Sequence, residues 1–131
     1  MHVTLSFIGY VRTKVVKLPR HCRISDVQGT LEIDKQYAKG LTDIQAGERI
    51  VVLFCFHGSD AFSPDLLKQT PPHRSRSMGV FSTCSPRRPN PIGMSVLEVL
   101  KVSGCRIHVK GLDIIDGTPI LDIKTVYEIV I

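Results

Sequence analysis

Residues 95–112, with the sequence SVLEVLKVSGCRIHVKGL, are the stretch that decides the fold class. Two strand-like runs, Ser95–Val102 and Cys105–Leu112, flank the short gap Ser103-Gly104. A short glycine-containing gap between two such runs is typical of a tight β-hairpin. The stretch therefore predicts two neighbouring antiparallel strands.

The rest of the chain continues in short strand-like segments, separated by turn residues. The further strand candidates are Val3–Arg12, Val27–Asp34, Arg49–His57, Ser77–Ser82, Pro119–Lys124 and Val126–Ile131. Helical signal is limited to Lys35–Ile44 and Ala61–Leu67, which could each hold a turn or two. Many short strands without long amphipathic helices favour an antiparallel sheet that closes on itself. The sequence predicts a mostly β, small single-domain antiparallel β-barrel over residues 1–131, with one or two short helical turns.

Composition bounds the class of protein. A chain of 131 residues with 43% hydrophobic residues can bury a core of its own. No apolar run approaches the roughly 20 residues that span a bilayer, so no membrane association is expected. The amino-terminal residues lack a secretory signal pattern, and the four cysteines are widely spaced. We therefore expect reduced thiols and a cytoplasmic location.

Positive charge is concentrated in two segments of the chain. The formal net charge is +5, and residues 1–25 and 66–97 each carry five Lys or Arg residues and no acid. If the fold joins these segments, they form a basic face suited to a polyanion such as a nucleic acid. The alternative is two separate solvated loops.

The segment Met78–Gly93 is rich in proline and predicts a stiff loop. Prolines 86, 89 and 91 lack amide donors and restrict the residues before them, among which are Arg88 and Asn90. A rigid loop between two apolar runs indicates a functional site with Arg88 and Asn90 as candidate catalytic residues. The alternative is a proline-rich surface turn. Cys84 lies in the same loop, where a nearby cation could activate its thiol, although a lone cysteine is more often inert.

Motifs of the common cofactors are absent. The sequence contains no GxGxxG after a strand, no GxxxxGK[ST], no HExxH and no GxSxG. The five histidines show no metal-ligand spacing, so no metal is expected. His57-Gly58 ends an apolar run and indicates either a cleft rim or a solvated strand end. Asp113, Asp116 and Asp122 surround an Asp-Gly turn, either as solvated acids or as acceptors for a ligand.

Two long segments resemble a known family. Residues 77–95 (SMGVFSTCSPRRPNPIGMS) and 112–124 (LDIIDGTPILDIK) are similar to the signatures of the TsaA/YaeB-like, TrmO-type tRNA methyltransferases. The stretches Ile8–Arg12, Leu18–Arg20 and Phe54–His57 fit the same family. The resemblance covers nearly the whole chain.

The resemblance implies a small β-barrel, a homodimer and binding of S-adenosylmethionine without a Rossmann fold. It implies methyl transfer to the exocyclic amine (N6) of threonylcarbamoyl-adenosine beside the tRNA anticodon. Carried over by motif, the cofactor-binding residues would be Arg20, His21, Cys22, Arg23, His57, Gly58, Cys84, Met94, Lys110, Gly111, Leu112 and Asp113.

The expected chemistry asks for little covalent participation by the protein. The sulfonium is already activated, so the enzyme must align donor and acceptor and exclude water. The carbamoylated amine must lose a proton, for which Asp116 is a candidate acceptor. Two alternatives stay open: a non-catalytic module that binds S-adenosylmethionine or RNA, and a methyltransferase acting on a small molecule.

Overall fold

The computed structural model describes residues 1–126 and contains eight β-strands in that range. They are β1 Gly9–Arg12, β2 Gln28–Ile33, β3 Arg49–Cys55, β4 Lys68–Gln69, β5 Met78–Gly79, β6 Ile92–Ser103, β7 Arg106–Lys110 and β8 Pro119–Thr125. The helical segments within the same range are short 3-10 turns, at Cys22–Ile24, Lys35–Leu41, Pro64–Leu67 and Val80–Ser82. None of the described helices is long and apolar enough to cross a membrane.

Six strands close into a barrel in the order β1-β2-β7-β6-β3-β8. Strand β1 pairs antiparallel with both β2 and β8, and β7 pairs antiparallel with both β2 and β6. The prediction of a mostly β, antiparallel barrel with short helical turns is confirmed.

Alternation along the strands fills the barrel interior. In β7, Ile107 and Val109 are fully buried, whereas Arg106 and Lys110 are exposed. The same alternation buries Leu97 and Val99 of the long strand β6. Successive strand residues point to opposite faces, so each strand contributes one apolar set to a shared core.

The hairpin of residues 95–112 forms, with its turn one residue later than predicted. Ser103 faces Arg106 in the register, which leaves Gly104 and Cys105 as the two-residue loop. Gly104 has φ of 61°, a conformation that glycine adopts without steric cost. The register also shifts between Val99 and Lys101, so β6 carries a bulge at Leu100.

The amino-terminal strand is shorter than predicted, because β1 begins at Gly9 instead of Val3. Val3, Leu5 and Phe7 are 69%, 59% and 43% exposed, so the alternation before Gly9 buries no face. Gly9 itself is required by close packing, since a Cβ there would lie 2.1 Å from the carbonyl oxygen of Glu32 on β2.

Other predicted boundaries also moved. The predicted strand Ser77–Ser82 keeps only Met78–Gly79 before a 3-10 turn, and the predicted strand Arg49–His57 ends at Cys55. The helical candidates Lys35–Ile44 and Ala61–Leu67 each contain a shorter 3-10 turn. The predicted last strand, Val126–Ile131, lies outside the described residues except for Val126, which is in a bend.

Contacts group the chain into two compact units. The barrel unit comprises Met1–Phe54 and the chain from Met94 onward, and the second unit is Cys55–Gly93. The second unit contains the β4–β5 ribbon, two of the 3-10 turns and the proline-rich loop, with Val80 almost fully buried. The single domain over residues 1–131 stays a prediction.

Candidate functional site

A buried serine and a half-buried aspartate form the polar centre of the barrel unit. Ser95 lies on the inward face of β6, between the buried residues Gly93 and Leu97, and is 1% exposed. Its hydroxyl donates a hydrogen bond of 2.6 Å to Oδ1 of Asp113, in the loop that follows β7. Burying a hydroxyl is costly unless it is hydrogen-bonded, so Ser95 and Asp113 satisfy each other.

Burial raises the pKa of the Asp113 carboxyl above its ordinary value of 3.8. The Ser95 hydroxyl, the backbone amides of Asp113 and Cys22, and the nearby His21 each act in the opposite direction, but desolvation is the larger effect. The carboxylate is therefore an acceptor in a partly desolvated site, where electrostatic interactions are stronger than in water.

The segment from His21 to Val27 is tied to the Asp113 loop by hydrogen bonds. Ser25 Oγ donates to the carbonyl oxygen of Leu112 at 2.5 Å, and the amides of Gly111 and Leu112 donate to the carbonyl oxygen of Val27 at 2.9 and 3.1 Å. Gly111 has φ of 100°, which favours glycine, and lets the chain turn from β7 into this contact. The structure thus brings together the two predicted segments 20–23 and 110–113.

The 3-10 turn Cys22–Ile24 is capped by His21. His21 Nδ1 accepts a hydrogen bond of 3.0 Å from the amide of Arg23, and it lies 3.8 Å from Cys22 Sγ. Cys22 is buried, whereas Arg20 and Arg23 are exposed. Two of the predicted residues in this segment act on Asp113: His21 lies close enough to influence its charge, and the backbone amide of Cys22 donates a hydrogen bond to it.

Met94 and Lys110 lie on the outer side of the barrel. Met94 is 62% exposed and precedes Ser95 on β6, so the two side chains point to opposite faces. Lys110 is the exposed last residue of β7. These two outward side chains are therefore not part of the inward cluster of Ser95 and Asp113.

Asp116 occupies a different position in the barrel unit. Its Oδ1 accepts a hydrogen bond of 3.0 Å from the amide of Thr13, beyond the end of β1. It lines an open groove of about 550 Å³ together with Arg12, Thr13, Lys14, Val15, Gln28, Gly29, Thr30 and His108. Asp116 therefore braces the segment that follows β1, and its role as a proton acceptor stays a prediction.

The remaining predicted residues lie in the second unit. Arg88 Nη1 donates to the carbonyl oxygens of Thr83 and Ser85, both at 3.1 Å. Gln69 Nε2 donates to the carbonyl oxygens of Leu66 and Arg87, both at 2.8 Å. The proline-rich loop is thus held by side chains as well as by its prolines.

Four further predicted residues of the second unit have exposed positions. His57 and Gly58 form the turn after β3, and His57 donates its amide to the carbonyl oxygen of Cys55. Cys84 is an exposed free thiol, and Asn90 is exposed, its carbonyl oxygen accepting from Ile92 N. Within residues 1–126, no three His, Cys, Asp or Glu residues are grouped as a metal site requires.

Sequence reasoning missed Ser95 and Ser25, the two hydroxyls that hold the Asp113 loop. For Ser95 a signal existed, because a serine stands at an inward position of the alternating pattern Ser95, Leu97, Val99. A polar residue among apolar inward positions indicates a buried hydrogen bond. Ser25 offered no such pattern, since it lies outside any strand.

The barrel and its polar cluster define a small β domain, and a family model identifies it. The model, described as the tRNA-methyltransferase O N-terminal domain, matches residues 11–130. The chain therefore belongs to this family, and the resemblance of the two signature segments is confirmed.

Curated relatives and a solved structure agree with this assignment. A probable S-adenosyl-L-methionine-binding protein of Archaeoglobus fulgidus is 42% identical over 95% of this chain and 34% of its own length. An S-adenosyl-L-methionine-binding protein of the same organism is 43% identical over 81% of this chain and 74% of its own. The human tRNA (adenine(37)-N6)-methyltransferase is 40% identical over 64% of this chain and 19% of its own.

The crystal structure of TrmO from Pseudomonas aeruginosa superposes with a TM-score of 0.75 at 30% identity, covering 95% of this chain and 56% of that one. The chain thus spans about a third of the first of these relatives, a fifth of the human protein and just over half of the solved chain.

Proposed function

We propose that this chain is an S-adenosylmethionine-dependent tRNA methyltransferase that methylates N6 of threonylcarbamoyl-adenosine beside the anticodon. The observation that carries the proposal is the family match, which spans residues 11–130 and so includes the whole Asp113 cluster. The names of the archaeal and human relatives support the cofactor and the tRNA adenine substrate, respectively.

The chemistry of the Asp113 cluster fits this cofactor. When bound, S-adenosylmethionine would present hydrogen-bond donors and positive charge to these residues, and its sulfonium would supply an activated methyl group for the amine. A carboxylate in a partly desolvated site binds such groups more strongly than an exposed one. We assign Asp113, with His21, Cys22, Gly111 and Leu112 around it, to cofactor binding.

The other predicted residues keep their proposed roles. Arg20, Arg23, Met94 and Lys110 in the barrel unit, and His57, Gly58 and Cys84 in the second unit, are proposed cofactor contacts. Arg88 and Asn90 are proposed to orient the acceptor. Asp116 is proposed to accept the proton that the amine loses, and Asp116→Asn tests this because it keeps an oxygen for Thr13 N but removes the basic carboxylate.

Two measurements test the proposal together. Calorimetry should detect S-adenosylmethionine binding, and saturating cofactor should raise Tm, since a ligand at 100 times its Kd stabilises the native state by about 2.7 kcal/mol. Incubation with tRNA, followed by mass spectrometry of its nucleosides, should then show one added methyl group on the modified adenosine. Absence of cofactor binding by both calorimetry and thermal shift contradicts the proposal.

A second candidate is a module that binds S-adenosylmethionine or RNA without catalysis, which the name of the A. fulgidus relative favours. A third is a methyltransferase with a small-molecule substrate. Binding of cofactor without methylation of tRNA would favour the second candidate over the proposed enzyme. Methyl transfer in a tRNA-free extract of small metabolites identifies the third.

We also propose that the chain is a homodimer and acts in the cytoplasm, where tRNA is modified. The free state of all four cysteines supports a reducing compartment. A small barrel has little surface for both a cofactor and a folded RNA, which favours a second copy. Light scattering at micromolar concentration should give twice the chain mass of 14.6 kDa, and a monomer contradicts the dimer.

A further inference from the structure

The outer face of strands β1, β2 and β7 carries a set of charged and aromatic side chains aligned by the register of the sheet. Tyr10 faces Glu32, which in turn faces Arg106, in one row across the three strands. The next row is Arg12, Thr30 and His108. We call the surface formed by Tyr10, Arg12, Thr30, Glu32, Arg106, His108 and Lys110 the β1–β2–β7 face.

This face has more positive than negative charge. Arg12, Arg106 and Lys110 stand against one acid, Glu32. The carboxylate of Glu32 lies between the two guanidiniums, at 3.5 Å from Arg12 Nε and 4.0 Å from Arg106 Nη2, and all three side chains are 42–64% exposed. Exposed pairs of this kind contribute little to stability and can exchange partners, so both guanidiniums can also contact an external anion.

An aromatic ring and a groove adjoin the cations. Tyr10 is 42% exposed, with Arg12 Cζ 5.6 Å from its ring centre. Next to Arg12 lies the open groove of about 550 Å³, whose lining includes Lys14, Gln28 and His108. Cations for phosphates together with an exposed ring on a sheet face are the combination with which proteins bind single-stranded nucleic acid.

We propose that the β1–β2–β7 face binds a single-stranded segment of RNA, with Arg12 and Arg106 on its phosphates and Tyr10 stacked on a base. The proposal rests on the proposed function, in that it assigns a surface to the RNA substrate. It adds Arg106 and Lys110 to the basic segment that contains Arg12, although both belong to residues 98–131, where acids outnumber bases by one.

Fluorescence anisotropy with a labelled anticodon stem-loop RNA tests this face in the full chain. Each phosphate contact to a single strand contributes about 0.7 to the slope of log K against log salt. Arg12→Gln/Arg106→Gln should therefore lower the slope by about 1.4 and weaken binding roughly tenfold or more at low salt. Tyr10→Ala should weaken binding with no change in slope, because stacking releases no counterions.

Arg49→Gln is the matched control. Arg49 is an exposed arginine on β3, which lies three strands from β2 in either direction around the barrel. It should bind RNA as the unaltered protein does. Equal losses for the control and the double variant, or displacement of the RNA by polyglutamate as effectively as by unlabelled RNA, overturn the assignment.

Methylation of tRNA by the unaltered protein, measured beside the RNA affinities of the variants, separates this proposal from the proposed function. If the unaltered protein methylates tRNA and both the double variant and Tyr10→Ala keep full RNA affinity, the assignment of the RNA face is wrong and the proposed enzyme activity stands. If the unaltered protein transfers no methyl group but the variants lose RNA affinity as described, the result supports RNA binding by the β1–β2–β7 face and contradicts the proposed enzyme activity.

Discussion

Ser95 Oγ donates a hydrogen bond of 2.6 Å to Asp113 Oδ1, joining the inward face of β6 to the loop after β7. Ser95 is 1% exposed, so no solvent competes for its hydroxyl. Asp113 is half-buried, and the serine is one of the groups that keep its carboxylate from a still higher pKa. This contact therefore couples the packing of the barrel to the charge state of the proposed cofactor site.

Ser95→Ala should destabilise the fold and weaken cofactor binding. The change leaves a half-buried carboxylate without its serine donor, at a cost of about 1–3 kcal/mol in the free energy of unfolding. Urea denaturation measures that cost. Ser103→Ala, at the exposed end of the same strand, is the control and should change the free energy of unfolding by less than about 0.5 kcal/mol. Equal stability of the two variants would show that the Asp113 contact contributes nothing.

The pH dependence of stability should carry the sign of the raised pKa of Asp113. An acid whose pKa is higher in the folded state adds stability that is fully present below its unfolded pKa, and that stability is lost as the pH rises through the folded pKa. The pH window in which this stability is lost therefore begins near the ordinary pKa of 3.8 and extends above it. Asp113→Asn cannot titrate, so the free energy of unfolding of the unaltered protein, minus that of the variant, should fall as the pH rises through this window. A rise instead would mean that the pKa is lowered.

Local pattern was sufficient to predict the barrel. The run after Gly104 alternates between polar and apolar residues, and this alternation specifies strand β7 and the face that it buries. The pattern failed at Val3–Phe7, because β-branched and aromatic residues also occur where no core is available to cover them. The start of β1 depends on a close approach between Gly9 and Glu32, which a local window cannot detect.

The candidate site was only partly predictable. Asp113 and the segment from Arg20 to Arg23 came from the family resemblance, and the structure joins them through Ser25 and Leu112, which are 87 residues apart in sequence. A contact between residues so far apart leaves no local pattern in a single sequence. Arg88 was predicted from its position between prolines, but its two carbonyl partners depend on the path of the loop.

Arg88→Ala and Asn90→Ala should each remove most methyl transfer while the barrel stays folded. For Arg88 the reason is loss of the two hydrogen bonds that hold the loop at Thr83 and Ser85. For Asn90 the reason is loss of an exposed side-chain carboxamide, whose position is fixed because the flanking prolines restrict the backbone of Asn90. Steady-state methylation of tRNA measures the effect, and the far-ultraviolet circular dichroism should be unchanged. Near-normal turnover in either variant would show that methyl transfer does not depend on that side chain.

Reversing a charge in either basic segment should weaken tRNA binding. Arg74 and Arg23 are exposed, and each belongs to an acid-free segment, residues 66–97 and 1–25 respectively. Phosphate contacts release counterions, so affinity for tRNA should fall roughly tenfold or more between low and physiological salt. Arg74→Glu should lower that affinity without lowering affinity for S-adenosylmethionine, since phosphate contacts position the RNA and do not touch the donor. Arg23→Glu should lower both affinities, because Arg23 is also a proposed cofactor contact. Filter binding measures the affinity for tRNA, and calorimetry measures the affinity for S-adenosylmethionine. Arg49→Glu on β3 is the control. Unchanged tRNA affinity in both reversals would make the two segments ordinary solvated loops and would favour the small-molecule methyltransferase.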